Sequence, residues 1–315
     1  MADKISVAIA TYNGEKYLRE QLDSLYSQTI KPDEVVVVDD CSSDGTSMIL
    51  EEYKQRYGLR FFINSNNLGV NRNFEKAIRN CTGDYIAISD QDDVWMPNKI
   101  ETSLLKLKEI EKGKPACVTS KSIPVTKDLS RTKELKIKND TFGLKQNILG
   151  ELSSQGCTIM MNRQLVDSLS TFPSKEFMYD AYIGLLAACI GNRLNIGIPL
   201  MYYRHHENNV VARLDSNLNF IQRIALKIRK MKYSTLFDYR RFHNLEVLYA
   251  MHKNQMNIET VEFVQSLITY NKSNLWYKIN YILKEDYFST TKKVKMISGL
   301  IVTSIIPVSP TPLSK

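Results

Sequence analysis

The sequence predicts an α/β fold, in which a mostly parallel sheet flanked by helices is followed by a helical C-terminal extension. Through about residue 100, short apolar runs alternate with segments of helical periodicity, as in consecutive βαβ units. Several of these runs end in polar or acidic residues, at the position where open α/β sheets bind their ligands. Beyond residue 213 only helical patterns remain. We therefore divide the chain into an α/β domain, residues 1–212, and a basic helical region, residues 213–315.

The first hundred residues contain four predicted strands with helices between them. The predicted strands are residues 5–10, 34–38, 60–63 and 85–89. The predicted helices are residues 15–28, a helix that follows the turn 41–46 and runs through residue 57, and residues 73–80. The second strand contains four consecutive valines without polar alternation, which is typical of a strand buried on both faces of a parallel sheet. In the first helix, apolar side chains recur at the spacing of one helix face.

Elements in the remainder of the chain are less regular. We predict helices at residues 99–112, 178–190, 219–232, 238–252, 259–270 and 275–283, and strands at residues 116–120 and 195–198. Residues 153–161 are predicted to form a polar turn that leads into an apolar strand. The polar segments 121–139 and 202–209 are predicted loops. Residues 294–308 are mostly apolar but are interrupted by serines, and this stretch is too short to span a bilayer comfortably.

The positive charge of the chain is concentrated in its last third. The chain has 315 residues and a net charge of +8, yet residues 213–315 hold 16 Lys and Arg against 7 Asp and Glu. Such an asymmetry indicates an anionic partner, either a membrane surface or a nucleic acid. No nucleic-acid recognition motif accompanies the charge. The amphipathic segment 219–232 fits a peripheral membrane contact, and it fits equally a helix that covers the α/β domain with its apolar face.

The cysteines and the N-terminus predict a cytoplasmic protein. The 5 cysteines are odd in number, widely scattered and without a CxxC pair, which favours reduced thiols over a disulfide framework or a zinc site. The N-terminus has neither the basic nor the apolar segment of a signal peptide. The glycine fingerprint of dinucleotide-binding domains and the P-loop are both missing after the first strand, so those two classes are disfavoured.

An acidic cluster follows the fourth predicted strand. Asp90, Asp92 and Asp93 occupy three of four consecutive positions directly after an apolar run. Like charges this close raise one another's pKa unless a positive charge lies among them. A divalent cation such as Mg²⁺ or Mn²⁺, which prefers oxygen ligands, would satisfy them. The cluster alone is equally compatible with a solvated acidic turn before a helix that begins near Pro97.

Four motifs in matching order and spacing resemble family 2 glycosyltransferases of the GT-A fold, over roughly residues 4–212. They are Ala10-Thr11-Tyr12-Asn13, Asp39-Asp40 before Ser42-Ser43-Asp44-Gly45-Thr46, Asn67-Leu68-Gly69, and Ser89-Asp90-Gln91-Asp92-Asp93-Val94-Trp95. The last motif looks most like that of bacterial rhamnosyltransferases for surface polysaccharides. The resemblance implies an inverting, metal-dependent transfer of a sugar from a nucleotide-diphosphate donor to an acceptor hydroxyl. It also implies that residues 1–212 are the catalytic domain.

The resemblance assigns nucleotide binding to residues near the ends of the first two strands. Asp40 matches the residue that binds the base ring N–H, a task that suits a carboxylate acceptor. Thr11, Tyr12 and Glu15 would line the same pocket. The alternatives are that Asp40 caps the turn at residues 42–46, that Asp39 binds instead, or that Tyr12 packs beneath the loop.

The resemblance places the metal at the acidic cluster. Asp92 would bind a divalent ion that bridges the two phosphates, and Asp90 would contact the ribose or the water shell of the ion. His206 matches a histidine that completes the metal site in some relatives, with His205 as the second choice. Asp93 would support these ligands or cap the helix after Pro97.

Asp180 would be the general base that removes the acceptor proton. The alternative is an N-cap role at the start of the predicted helix. Relatives often carry His-Asp here, whereas this chain has Tyr179-Asp180. Residues 155–157 match the loop that shapes the acceptor pocket, where Gly156 permits close approach. Trp95 would be an acceptor platform or a packing residue, and packing is favoured.

The sequence therefore predicts an enzyme at the cytoplasmic face of a bacterial membrane, with a lipid-linked saccharide as acceptor and dTDP-rhamnose as a candidate donor. Two alternatives remain open. The donor would be a UDP-hexose or a UDP-N-acetylhexosamine, or the protein would bind nucleotide sugars or polysaccharide without catalysis. Nucleic acid is not an expected partner.

Overall fold

We describe a computed structural model of the chain. It describes residues 3–130, 144–149, 155–172, 178–206 and 239–285, with residues 293–294, 296–298 and 300–301. The chain divides into two compact units, Met1–Ala212 and Arg213–Lys315.

The first unit contains an eight-stranded mixed sheet. Its strands are β1 Ile5–Thr11, β2 Glu34–Asp39, β3 Arg60–Ile63, β4 Tyr85–Ser89, β5 Val94–Trp95, β6 Ala116–Val125, β7 Ile159–Asn162 and β8 Asn192–Arg204. The strand order is β3-β2-β1-β4-β7-β6-β8-β5. The β1–β2, β1–β4, β2–β3 and β6–β8 pairs are parallel, whereas β7 runs antiparallel to both β4 and β6. The predicted α/β class is confirmed.

Helices pack on both faces of this sheet. The helices of the first unit are α1 Leu18–Tyr26, α2 Thr46–Tyr57, α3 Val70–Asn80, α4 Lys99–Glu111, α5 Leu144–Leu149, α6 Arg163–Asp167 and α7 Tyr179–Ile190. Side chains of α1, α2 and α4 form one core with alternate residues of β1 and β2. The remaining residues of those strands face α3. All six residues of β2 are buried, as its valine run predicts.

Trp95 belongs to this core. Its side chain is 3% exposed and packs in the cluster that holds Leu22 and Ile100. Burial of a large aromatic side chain contributes on the order of 2–3 kcal/mol to stability. Of the two roles considered for Trp95, packing is the one the structure supports, because a buried ring offers no face to an acceptor sugar.

Three expectations about local structure are wrong. The predicted strand 195–198 is part of the longer β8, and the predicted loop begins only after Arg204. Tertiary pairing explains this difference, because β8 bonds to β6 on one side and to β5 on the other. The predicted loop 121–139 likewise begins with residues of β6, while its residues 131–139 lie outside the described part of the chain. Asp180 is not an N-cap, since α7 begins at Tyr179 and its N-cap is Met178.

Among the described residues 239–285, the second unit contains the helices α8 Tyr239–His252, α9 Ile258–Lys272 and α10 Leu275–Lys284. They match three predicted helices to within two residues at most ends. Asn257 and Asn274 cap the last two through their side chains, which accept hydrogen bonds from Thr260 N and Tyr277 N. The predicted helix 219–232 and most of the apolar stretch 294–308 lie outside the described residues. Within the described residues, every helix is too short or too polar to cross a bilayer.

Asn162 provides a test of how the sheet is joined to its helices. Its buried side chain accepts hydrogen bonds from Ala116 N at 2.9 Å and Leu165 N at 3.1 Å, and it donates to Lys114 O at 2.8 Å. We expect Asn162→Ala to lower the free energy of unfolding by roughly 2–4 kcal/mol, because buried polar groups lose their partners. Chemical denaturation measures this change.

The control for this experiment is Asn98→Ala, at an exposed position that precedes α4. Its expected effect is within about 0.5 kcal/mol. Equal stability of the two variants would show that the Asn162 network is not what secures this edge of the sheet.

Candidate functional site

Polar side chains converge where β1, β2 and β4 end. Thr11 pairs with Asp39 across β1 and β2, and Ile9 pairs with Ser89 across β1 and β4. Because these strands are parallel, the segments that follow them emerge at the same edge of the sheet. The residues predicted for nucleotide and metal binding are therefore neighbours there.

Asp40 organises the loop that joins β3 to α3. Its carboxylate accepts hydrogen bonds from Asn64 Nδ2 at 2.9 Å, Leu68 N at 2.8 Å and Gly69 N at 2.9 Å. The turn at residues 42–46 instead depends on Asp39, whose carboxylate accepts from the amide and hydroxyl of Ser42. Both acids are buried. The proposed capping role thus belongs to Asp39, and Asp40 faces the opposite loop.

Asn73 of α3 holds the same region in place through its side-chain hydrogen bonds. Its side-chain amide donates to Val38 O at 2.9 Å and accepts from Asn64 Nδ2 at 3.0 Å. It is 2% exposed. The ends of β1 and β2 are thereby tied to α3, so the residues around Asp40 have little freedom to shift.

Gln91 is a site residue that sequence reasoning missed. Its Oε1 accepts from Thr11 Oγ1 at 2.5 Å and Tyr12 N at 2.8 Å, and its Nε2 donates to Tyr12 O at 3.1 Å. A single amide side chain thus bonds the loop after β1 to the acidic loop after β4. The sequence feature that could have indicated Gln91 is its position as an uncharged amide within the run of three aspartates.

Tyr12 and Glu15 differ in how exposed and how hydrogen-bonded they are. The Tyr12 side chain is 49% exposed, which does not fit the alternative of a ring packed beneath the loop. Glu15 accepts a hydrogen bond from Gly45 N at 2.9 Å and donates from its own amide to Asp44 Oδ2 at 3.1 Å. Glu15 therefore joins the β1 and β2 loops, whereas the Tyr12 ring is exposed to solvent.

The three carboxylates of the acidic cluster have different environments. Burial, followed by the charge of Asp92, raises the pKa of Asp90 to about 7. Asp93 is fully buried, accepts from Arg204 N at 3.1 Å, and has a pKa that burial raises well above its usual value. Asp93 is therefore a supporting residue, while Asp90 and Asp92 are partly exposed and able to contact a ligand.

Arg204 and Lys99 are buried cations beside this cluster, and neither was predicted. The Arg204 guanidinium donates to Asp92 O at 2.8 Å and pairs with Glu20 of α1, and it lies over the Tyr17 ring. Lys99 Nζ lies 4.4 Å from the Trp95 ring centroid, and burial lowers its pKa to about 8. The charge of Lys99 interacts favourably with that of Asp93, whereas the Arg204 guanidinium holds the acidic loop through its backbone.

His206 faces Asp92. The Nε2 atom of His206 lies 2.7 Å from Asp92 Oδ2, and its ring lies 5.0 Å from that of Tyr17. The neighbouring His205 instead donates its amide to Val125 O and packs its ring edge-on against Tyr203. Of the two histidines, the geometry favours His206 as a metal ligand.

The Asp92–His206 pair fits a divalent cation better than the other candidate group. Asp90, Asp93 and Cys157 also lie within ligand distance of one another, at up to 4.8 Å. Burial raises the pKa of the Cys157 thiol well above its usual value, so this group would offer a protonated sulfur to a cation that prefers oxygen. The side chains of Asp92 and His206 are 13% and 12% exposed, which leaves an open face for a substrate oxygen.

Asp180 lies in the first turn of α7. Its Oδ1 accepts from Ala181 N at 2.7 Å. Burial raises the pKa of this carboxyl, although the amides of Ala181 and Gly156 and the charge of Arg193 oppose the shift. Its charge also contributes to the raised pKa of Asp90, which places the two acids in one electrostatic neighbourhood. A carboxylate with a raised pKa is a suitable general base.

The chain belongs to the glycosyl transferase family 2, whose family model matches residues 6–169. Its fold agrees with solved structures. Staphylococcus aureus TarS residues 1–349 align with a TM-score of 0.56 and 21% identity, over 96% of this chain and 90% of that one. A mannosyltransferase from Pyrobaculum calidifontis aligns with a TM-score of 0.50 and 15% identity, over 97% and 87%. These likenesses show the GT-A fold expected from the sequence.

Curated relatives match over shorter stretches. An uncharacterized Mycobacterium tuberculosis protein is 37% identical over 29% of this chain and 27% of its own length. The glycosyltransferase GlyA of Streptococcus pneumoniae is 35% identical over 35% of this chain and 16% of its own. An uncharacterized glycosyltransferase of Rickettsia prowazekii is 29% identical over 56% of each. The chain thus spans from about a sixth to just over half of these relatives.

The raised pKa of Asp180 makes a prediction about stability. A carboxyl whose pKa is raised by folding destabilises the native state at pH values above its unfolded pKa, and this penalty disappears as the pH falls below that value. We expect Asp180→Asn to unfold at the same or a higher temperature than the wild type at pH 7.5, with the difference shrinking toward pH 4. Thermal unfolding at both pH values measures it, and a clear loss of stability at pH 7.5 would contradict the assignment.

Proposed function

We propose that this protein is a metal-dependent, inverting glycosyltransferase. It transfers a sugar from a nucleotide-diphosphate donor to a lipid-linked saccharide during assembly of a bacterial cell-surface polysaccharide. The observation that supports this proposal is that Asp40 and Asp92 follow parallel strands at one edge of the sheet, with Asp180 close enough to affect the pKa of Asp90. Three carboxylates on separate segments suit three tasks. Asp40 would recognise the nucleotide base, Asp92 would bind the cation, and Asp180 would remove the acceptor proton.

The nucleotide would bind along the loops after β1 and β2. Asp40 presents a carboxylate whose two oxygens already accept three N–H groups, so its remaining lone pair is fixed in direction. The exposed Tyr12 ring would contact the nucleoside, while Thr11 and Glu15 hold the loop that carries it. Asp90 would accept from the ribose hydroxyls or from water bound to the cation.

Asp92 and His206 would hold Mg²⁺ or Mn²⁺ at the diphosphate. The bound cation supplies positive charge that stabilises the departing diphosphate. Carboxylate oxygen and imidazole nitrogen are donors that Mn²⁺ accepts, and the mannosyltransferase from Pyrobaculum calidifontis is described in complex with GDP-Man and Mn²⁺. Arg204 would keep the Asp92 backbone in place, because its guanidinium bonds the Asp92 carbonyl.

Asp180 would act on the acceptor side. Its carboxylate accepts the proton of the acceptor hydroxyl as that oxygen attacks C1 from the face opposite the diphosphate. One displacement from the opposite face inverts the anomeric configuration, and no covalent intermediate with the protein is needed. The raised pKa of Asp180 brings its proton affinity closer to that of a base working near neutral pH.

For the donor we favour dTDP-rhamnose, because of the motif from Asp90 to Trp95. TarS structures are described with UDP and with UDP-GlcNAc, which supports the nucleotide-sugar class and keeps a UDP-N-acetylhexosamine or a UDP-hexose as the alternative. The basic residues of 213–315 would hold the enzyme at the cytoplasmic face of the membrane, where lipid-linked acceptors are found. A protein that binds nucleotide sugars without catalysis is the second candidate.

A panel of nucleotide sugars distinguishes these donors. Ligand binding raises the unfolding temperature by mass action. The cognate donor should give the largest shift, and Mn²⁺ or Mg²⁺ should increase it. Transfer to saccharide acceptors, or slow hydrolysis of the donor, then separates an enzyme from a binding protein. Binding without either reaction, across a broad acceptor panel, would favour the non-catalytic candidate.

Two substitutions test the assigned acids. Asp92→Asn and Asp180→Asn should each abolish sugar transfer, with losses of roughly a hundredfold or more, while the fold survives. The control is Asp167→Asn, which alters an exposed carboxylate on α6 and should leave transfer unchanged. Near-normal turnover by either site variant would remove the role assigned to that residue.

The pH dependence of turnover gives a further prediction. A general base must be ionised, and the pKa of Asp180 is raised by burial. With saturating donor and metal, we expect kcat to fall as the pH is lowered, with a midpoint above the ordinary aspartate pKa of about 4. A profile that stays flat down to that pH would show that Asp180 is not the base.

A further inference from the structure

The Tyr179 side chain has no role in the binding of nucleotide or cation described above. It directly precedes Asp180, at a position where relatives often carry histidine. The side chain is 3% exposed and its ring stacks on Phe74, with the centroids 4.1 Å apart. The Tyr179 amide donates to Asn71 Oδ1 at 3.0 Å. Stacking and backbone bonding together fix the position of the phenol.

The Tyr179 hydroxyl lies against Gly156. A Cβ atom at residue 156 would overlap the hydroxyl and the adjoining ring carbon, so only glycine fits opposite this tyrosine. Gly156 begins the short 3-10 turn Gly156–Thr158, which leads directly into β7. The tyrosine therefore sets how closely this turn approaches the start of α7.

Gly156 also contacts the proposed base. Its backbone amide lies close enough to the Asp180 carboxylate to counteract the effect of burial on the pKa of that carboxyl. The contacts thus run from Phe74 through Tyr179 and Gly156 to Asp180. Burial, together with the charges of Asp90 and Asp180, raises the pKa of Tyr179 well above 10, so its hydroxyl stays neutral.

We propose that Tyr179, through its contact with Gly156, is a positioning residue for the base Asp180 and for the acceptor loop 155–157. The proposal rests on the proposed function. Its chemical consequence is that the contact of Tyr179 with Gly156 keeps the acceptor loop close to the carboxylate that receives the acceptor proton. The groups proposed to bind the nucleotide and the cation, Asp40, Tyr12 and Asp92, do not include Tyr179 or Gly156.

Tyr179→Phe removes the hydroxyl and keeps the stacked ring. We expect kcat for transfer to a saccharide to fall roughly tenfold to a hundredfold, because a small misplacement of a catalytic group has effects of this size. The KM for the donor should change less than about twofold, because the substitution leaves the groups proposed to bind the donor unchanged. A weaker interaction with the Gly156 amide should also raise the pKa of Asp180, so that the fall of kcat at low pH begins at a higher pH.

The charged and titratable groups around Asp180 must be considered in this shift. Arg193 of β8 and Asp90 after β4 interact with Asp180 electrostatically, and Tyr179 is the titratable neighbour on its own helix. Tyr179→Phe leaves the charges of Arg193 and Asp90 in place. A shift of the acid limb therefore reports the altered contact with Gly156.

The matched control is Tyr182→Phe, three residues later on α7. Its hydroxyl bonds Ser170 Oγ at 2.6 Å, and its loss should leave both kcat and the pH profile unchanged. A second pair tests the contact itself. Gly156→Ala should lower the unfolding temperature, and Tyr179→Ser should restore part of that loss in the double variant without restoring kcat.

The outcomes separate this inference from the proposed function. If the wild type transfers sugar and Tyr179→Phe matches it in kcat and pH profile, the positioning role is wrong. A rise in donor KM with an unchanged kcat would also overturn it. If the wild type neither transfers nor hydrolyses any nucleotide sugar, the proposed function itself has failed, whatever the variants do.

Discussion

The site depends on how the repulsion among its carboxylates is balanced. Asp90, Asp92 and Asp93 follow one strand directly, and their closeness and burial raise the pKa of Asp90 and of Asp93. Lys99 is buried and its charge interacts favourably with that of Asp93. The Arg204 guanidinium holds the acidic loop through the Asp92 carbonyl and pairs with Glu20. A buried guanidinium without such partners would be strongly destabilising. Arg204 and the acidic loop therefore depend on each other.

In the loops at the strand ends, side chains rather than backbone carbonyls accept hydrogen bonds from main-chain amides. Asp40, Asp39 and Gln91 each accept hydrogen bonds from the main chain of a loop. The loops at this edge have no neighbouring strand to satisfy their amides, and buried amides without partners would cost about 1–3 kcal/mol each. The acids and amides at the strand ends thus fix the loops before any ligand binds.

Much of the fold and of the candidate site could be predicted from the sequence. The features that could not be predicted have physical causes. The valine run of β2 and the helical spacing of α1 are local patterns, and they indicated the fold correctly. The placement of Asp40 and Asp92 at one edge followed from parallel strands and the family motifs. The length of β8 did not, because it depends on pairing with the distant strands β6 and β5, and neither did the burial of Arg204, which bonds residues 112 and 184 positions earlier. Glycine at residue 156 predicted a close approach, but not that Tyr179 would be the approaching group.

Arg204 has a consequence for how the chain acquires its native state during synthesis. It bonds residues that precede it by 112 and 184 positions, and it lies at the end of the last strand of the sheet. Contacts of such sequence separation form late, because the entropy of closing long loops opposes them. A nascent chain that ends before residue 204 has no Arg204 guanidinium to bond the Asp92 carbonyl of its acidic loop. The first two hundred residues must therefore leave the ribosome before the site can assemble, although β1 and β2 are made much earlier.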